Sequence, residues 1–436
     1  QASITAVAGI ATFSQLVYEG NGQAQPFQLV ASGGNLPRVS SESISSRVIA
    51  TQLVFTIQPA GSISGFPLLV QPIVEARDSL GQIDRSFSET LTLTTTGPGG
   101  ITGQTVVAVN GRAVFSTLVY VATGDQEAFA LVVDDEVGGE EGNLSARSSE
   151  MIISDVVASR FLYVQQPSGA VNGKPFNVQP RVAAVDSLGA VDTGFEERVI
   201  LGVSGQGVLQ NVEVQAHSGI AIFENVIYLA VADGETFVLT VDDVVGGLDL
   251  AAQESQVLTA DVIATRLIFA TQPNGSISGR PLLVQPEIAA VDSVGLVDKD
   301  FSELVNMTTQ APGILTNLAI PLIDGVGKST TLTFTASQDH QQVTLTANDV
   351  AGGIDLSLVR SDPFLCDVVA STMTFGILPQ RVANGEAFKL QPVVKAEDRG
   401  VVDVDFDDVI ALSSDGKGRL KAEEVAAVDG VALFSN

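Results

Sequence analysis

The chain has 436 residues, with 22 Lys and Arg against 50 Asp and Glu, a net charge of −28. That sign excludes nucleic acid and anionic membrane surfaces as partners, because both attract positive protein surfaces; it favours solubility, self-repulsion or cation binding. A single cysteine, Cys366, excludes an intramolecular disulfide, and no apolar run reaches the ~18 residues of a membrane-spanning helix.

One paragraph of sequence is written repeatedly. The stretch ATQLVFTIQPAGSISGFPLLVQPIVEARDSLGQID from Ala50 returns from Ala158, Ala264 and Ala370, at offsets of 108, 106 and 106 residues. A period near a hundred is too long for a solenoid turn and right for a small domain. The opening ASITAVAGIATFSQLVY matches VVAVNGRAVFSTLVY at 106–120, and the closing EEVAAVDGVALFSN matches the same place. The expected division is a partial repeat over 1–47, full repeats over 48–155, 156–261 and 262–367, and a partial repeat over 368–436. The chain reads as a window on a longer repetitive protein, or as a subunit whose half-domains are completed by neighbours.

In the second full copy, period-two alternation of β-branched and apolar residues predicts seven strands. They lie over 160–167, 174–186, 194–204, 209–216, 219–228, 235–243 and 250–260. Turn signals stand at Ser187–Gly189, Ser218–Gly219 and Gly246–Gly247, and Asn110–Gly111 marks a hairpin in the first copy. Helical periodicity is missing throughout. The pattern predicts an all-β chain of tandem immunoglobulin-like seven-stranded β-sandwiches in a rod.

The segments ATQLVFTIQP, QPIVEARDSLG and VNGRAVFSTLVY resemble the bacterial immunoglobulin-like repeats of large surface adhesins and extracellular filaments, over nearly the whole chain. The resemblance implies the fold, the tandem arrangement and an extracellular or cell-surface location. Such repeats serve as extenders, adhesive heads and filament walls alike. The expected role is structural: a segment of an extracellular filament, sheath or adhesin stalk that gives length and stiffness and associates with copies of the same repeat. The alternative is an adhesive module recognising a glycan or surface through one divergent copy, the third, whose 311–342 region has drifted most.

The joints carry the most information. No Gly/Ser-rich linker separates the copies; SDVVASRFLY and TADVIATRLIF run from one repeat into the next, so stiff junctions are expected. At roughly 35–40 Å per sandwich, four would extend roughly 150 Å. Asp155, Asp261 and Asp367 recur just before each first strand, with Arg47 at the equivalent place of the first joint. The turn between the second and third strands holds Asp78/Asp84, Asp186/Asp192, Asp292/Asp298 and Asp398/Asp403. The turn between the sixth and seventh holds Asp134/Asp135, Asp242/Asp243 and Asn348/Asp349. Strand order puts both turns at the pole that faces the preceding domain, so these carboxylates should converge at each joint. Like charges in a small volume repel unless neutralised, and a hard divalent ion with six to eight oxygen ligands, Ca2+, suits the set. Solvated turn residues or a hydrogen-bonded junction remain open; Arg47 could pair with Asp78 or Asp134, leaving no metal, or a weaker site, there.

Catalytic constellations are not expected. The two histidines, His217 and His340, are out of register, and GVGKST at 325–330 fails the phosphate-loop spacing because its first glycine would fall at Leu322. Cys366 belongs to an apolar strand. The chain is not expected to be an enzyme.

Overall fold

Alternating side chains can bury one face of a strand and wet the other, and strands of five or six residues close a domain by stacking two sheets. The computed structural model describes residues 3–135, 142–244, 249–350, 355–421 and 423–435; the Gly246–Gly247 turn lies outside the described residues. The chain is all-β, a tandem series of immunoglobulin-like sandwiches.

The second copy illustrates the unit. Its strands are β1 (Arg160–Gln165), β2 (Ala170–Val171), β3 (Arg181–Val185), β4 (Arg198–Val203), β5 (Val208–Gln210), β6 (Glu213–Gln215), β7 (Ile220–Ile222), β8 (Ile227–Leu229), β9 (Thr236–Phe237), β10 (Leu239–Asp243), β11 (Gln253–Glu254) and β12 (Leu258–Asp261). One sheet has the order β1-β3-β7 and the facing sheet β6-β4-β10-β11; β2 runs parallel to β12, and β5 pairs with β8. The expected strand over 209–216 is broken at Asn211, which takes a positive φ of 58° and donates from Nδ2 to the Asn225 carbonyl at 2.7 Å. That kink lets one alternating stretch serve two sheets. A register shift between Tyr163 and Gln165 recurs between Phe55 and Ile57, Phe269 and Thr271, and Phe375 and Ile377; such bulges bend a strand and are kept in place for that purpose.

Between the sheets lie Phe161, Phe176, Phe195, Phe223, Tyr228 and Phe237 with Val199, Leu239 and Val241. Equivalent cores are built around Phe55, Phe87, Phe115 and Phe129 in the first copy and around Phe301, Met307 and Phe334 in the third. A smaller one joins Val394, Ile410 and Phe434 in the fourth. Residue 228 shows how copies diverge without losing the fold. The Tyr228 hydroxyl bonds Glu235 at 2.7 Å and accepts from Gly207 N, and Tyr120 does the same with Glu127 and Gly99. Burial and the neighbouring carboxylate push both phenols up to about 12. In the third copy Phe334 replaces the tyrosine, and Gln341 replaces the glutamate. The phenol and its carboxylate disappear together, so neither polar group is orphaned.

Features outside the repeat scheme have ordinary places. Cys366 is fully buried against Ser276. His217 is exposed beside Glu196. GVGKST contributes Gly325 to a turn and Val326–Lys328 to a strand. The drifted 311–342 region forms the same strands as its counterparts, Gly313–Thr316, Ala319–Pro321, Val326–Lys328 and Thr333–Ala336.

Candidate functional site: the seams between units

Each seam begins from an Asp-Val-(Val/Ile)-Ala sequence, with Arg47 leading the first. The valines Val48, Val156, Val262 and Val368 are buried. Burying them also buries a stretch of linker backbone, whose N–H groups then need partners.

Two carboxylates meet that need at the seam between the first and second copies. Asp125 belongs to the preceding unit. Its Oδ1 accepts from Val156 N at 2.7 Å, and its Oδ2 accepts from Thr193 N at 3.1 Å and Thr193 Oγ1 at 2.5 Å. Asp192 belongs to the following unit, and its Oδ2 accepts from Ala158 N at 2.9 Å. One side chain thus holds both the linker and the loop beyond it. Burial alone would raise the Asp125 pKa, but hydrogen bonds from Thr193, Val156 and Gln126 outweigh it and hold the carboxyl below its ordinary value.

The arrangement repeats. Asp233 takes Val262 N at 2.8 Å and Lys299 N at 2.9 Å, and Asp298 takes Ala264 N at 2.8 Å. Asp339 takes Val368 N at 2.6 Å and Val404 N at 2.8 Å, and Asp403 takes Ala370 N at 2.7 Å. At the first seam Gln23 stands in for the clamp aspartate. Its Oε1 takes Val48 N at 2.6 Å and its Nε2 reaches Ser86 Oγ at 3.3 Å, while Asp84 takes Ala50 N at 3.0 Å.

Sequence reasoning missed Asp125, Asp233 and Asp339. Their signal was present: they recur at 108 and 106 residues, the period of the repeat itself. They sit in the loop between the fifth and sixth strands, at the pole opposite the one considered.

Besides Asp84, Asp192, Asp298 and Asp403, the expected residues divide into three groups. The linker aspartates lie at the seams: Asp155 receives Gln126 Nε2 at 2.8 Å, and burial followed by the charges of Asp125 and Asp192 raises its pKa. Asp261 is raised by burial and by Asp233, Asp298 and Asp300. Asp367 is raised by burial and by Asp339, Asp403 and Asp405. Asp261, Asp298 and Asp300 also line an open hollow with Ser302 and Glu303.

The first aspartate of each turn, Asp78, Asp186 or Asp292, folds the turn by accepting its backbone N–H groups. In the shortened fourth copy Asp398 instead takes Ser371 Oγ and opens a hairpin at Arg399–Gly400. Among the described residues, the aspartates of the sixth-to-seventh turn form no hydrogen bond with the other seam carboxylates, and Asp134 Oδ1 accepts Asp135 N. Asp135, Asp243 and Asp349 accept from Leu144, Leu250 and Leu356 N in their own loop, Asp242 Oδ1 caps Asp243 N, and Asn348 is exposed. The reason is local: those leucines are buried, and their N–H groups need an acceptor nearby.

One polar atom separates two otherwise similar seams. Asn172 accepts Ala230 N at 2.8 Å and donates from Nδ2 to Asp292 Oδ2 of the next unit at 2.6 Å. In the first copy Ser64 fills that place. It accepts Ala122 N but leaves Asp186 Oδ2 buried without a donor. Ser64→Asn is therefore expected to supply that donor and raise the unfolding midpoint of the coupled first and second units, by about 1 kcal/mol in stability. Asn172→Ser should do the reverse at the next seam by a similar or larger amount, read by urea unfolding of both variants.

No family model matches the chain, and no curated protein matches it. Among solved structures, the Escherichia coli adhesin FdeC is 14% identical, with 75% of this chain and 99% of that one covered and a TM-score of 0.32. The protocadherin gammaB7 EC3–6 cis-dimer structure is 14% identical over 86% of this chain and 92% of that one, with a TM-score of 0.35. Domains 1–6 of the surface layer protein SbsC are 13% identical over 91% of this chain and 52% of that one, with a TM-score of 0.22.

Proposed function

We propose that this chain is a structural segment of an extracellular filament, sheath or adhesin stalk, with the boundaries 47/48, 155/156, 261/262 and 367/368 as its joints. The observation that carries this reading is the repeated stitch: one side chain of each unit holds the next unit's linker N–H and, at three seams, also the backbone of its loop. A joint whose buried backbone is bonded from both sides resists bending, and a run of such joints turns small sandwiches into a spacer. The drifted 311–342 region keeps the strands of its counterparts, so among the described residues its drift adds no support to a glycan- or surface-binding role. Association with further copies would follow from the exposed edges of the sandwiches. The experiment is small-angle scattering of the intact chain. A maximum dimension of roughly 150 Å, from about 3.3 Å per strand residue, supports a spacer; a collapsed or broadly distributed shape counts against it.

Calcium at the seams belongs to the same reading. One place for it is the hollow between the second and third units. There Asp261, Asp298, Asp300 and Glu303 offer oxygen donors around one hollow, and Asp261 already feels the repulsion a cation would relieve. Bound Ca2+ would supply neutralising charge across the joint. Adding millimolar CaCl2 to chelator-treated protein should raise the unfolding midpoint by a few degrees, as mass action requires of any ion that binds only the folded state. An identical midpoint with and without chelator rejects the metal and leaves the stitched joint intact as a proposal.

A further inference from the structure

The seam between the third and fourth units differs from the others in one chemical respect. At the loop position following the clamp aspartate, the copies carry Ala24, Gln126, Gly234 and His340. All four adopt positive φ, between 50° and 72°, so the loop presents each residue in the same way. At the position two beyond the conserved turn aspartate they carry Ser86, Gly194, Asp300 and Asp405. Only the last seam combines an imidazole with a carboxylate at this second place.

The result is a compact mixed set. Asp339, His340, Asp367 and Asp405 each place one ligand atom so that all lie within 4.8 Å of one another. His340 Nε2 is 2.7 Å from Asp405 Oδ2 and 3.9 Å from Asp367 Oδ1. We propose that these four side chains form a binding site for a borderline divalent transition ion of the zinc class, which ties the third unit, the linker and the fourth unit together.

Geometry and ligand type both select that class of ion. Zinc bonds of about 2.0–2.1 Å to nitrogen and oxygen put tetrahedral ligands about 3.3 Å apart. The present spacing, 2.7 to 4.8 Å, brackets that value, so side-chain rotation suffices. On binding, Nε2 gives up its proton to solvent and its lone pair takes the metal in place of Asp405. Calcium wants six to eight oxygens, whereas an imidazole nitrogen with carboxylates suits zinc, copper or nickel. Asp339 keeps its backbone bonds to Val368 N and Val404 N and offers a remaining lone pair. The four ligands come from the third unit's loop, the linker and the fourth unit's loop, so the ion would crosslink the joint. This inference stands apart from the calcium proposal, which concerns an all-oxygen hollow one seam earlier.

The test uses the intact chain, with Zn2+ followed by calorimetry and Co2+ followed by visible absorption. One ion per chain is expected to bind with micromolar or tighter affinity, and bound Co2+ should show the intensified bands of a nitrogen-containing low-coordinate site. His340→Gln installs the residue that the first copy already carries in this conformation, so the variant should fold. It is expected to lose at least roughly tenfold in Zn2+ affinity, whereas His217→Gln changes nothing. The chelator response of the second-to-third seam should be unaltered in His340→Gln, which separates failure here from failure of the calcium proposal. Absence of one-to-one Zn2+ binding, or equal affinity in His340→Gln and the parent, overturns the site.

Discussion

Asp125→Ala should uncouple the first and second units while leaving both cores intact. The substitution strips the acceptor from Val156 N, Thr193 N and Thr193 Oγ1 together. Val156 is buried, so its N–H gains no water in exchange. An unsatisfied buried donor costs about 1–3 kcal/mol, and hydrogen bonds to a charged group add to that; a total near 2–4 kcal/mol is expected. Removing the Asp125 charge also relieves Asp155, which offsets a minor part of the loss. Asp233→Ala and Asp339→Ala should behave alike at their seams. Gln23→Ala should cost less, because an amide oxygen makes the weaker neutral bond. Calorimetry should show the shared transition splitting, and scattering should show a shorter, more bent particle. If both observables stay at their parent values, the stitch does not stiffen the joint.

The fold was largely legible because period-two alternation and turn residues are local properties. The sandwich, and the lack of helix among the described residues, follow from them. Two kinds of feature were not local. The break at Asn211 depends on its side chain reaching the Asn225 carbonyl of another segment, so one run of alternating residues over 209–216 hid two short strands. The seam chemistry was half visible. Asp155, Asp192 and their counterparts were found because they stand near the linker in sequence or topology. Asp125, Asp233 and Asp339 were not, because a joint has two sides and the facing loop comes from the preceding unit's far pole. Strand order placed Asp135, Asp243 and Asp349 at the seam pole, but it does not say that each carboxylate accepts a buried leucine N–H of its own loop. His340 looked like a stray histidine until its register with Gln126 and Gly234 placed it beside Asp405.

Gly219→Ala is expected to be the more damaging change, although the residue's backbone hydrogen bonds, to Phe195 and Ala184, stay within its own unit. Gly219 has a positive φ of 76°, and a Cβ there would lie 2.2 Å from the carbonyl oxygen of Asp192. Gly111, Gly325 and Gly430 make the same approach to Asp84, Asp298 and Asp403. An alanine must therefore push away the backbone of the residue whose carboxylate holds Ala158 N. The left-handed backbone costs an L-residue about 1–2 kcal/mol. Displacing the loop adds the loss of a charged bond to a buried N–H, about 1–3 kcal/mol. A total of roughly 2–5 kcal/mol should appear as a lower urea midpoint of the second unit, accompanied by loosening of the seam before it. Gly173→Ala is the control: its φ is 69°, but the nearest atom a Cβ would meet is a flexible leucine methyl at 3.9 Å. It should show only the backbone cost. Equal destabilisation by the two substitutions would mean that the close approach to Asp192 carries no energy of its own. A clear excess in Gly219→Ala would show that a turn inside one sandwich sets the strength of the joint with the sandwich before it, because the same aspartate serves both.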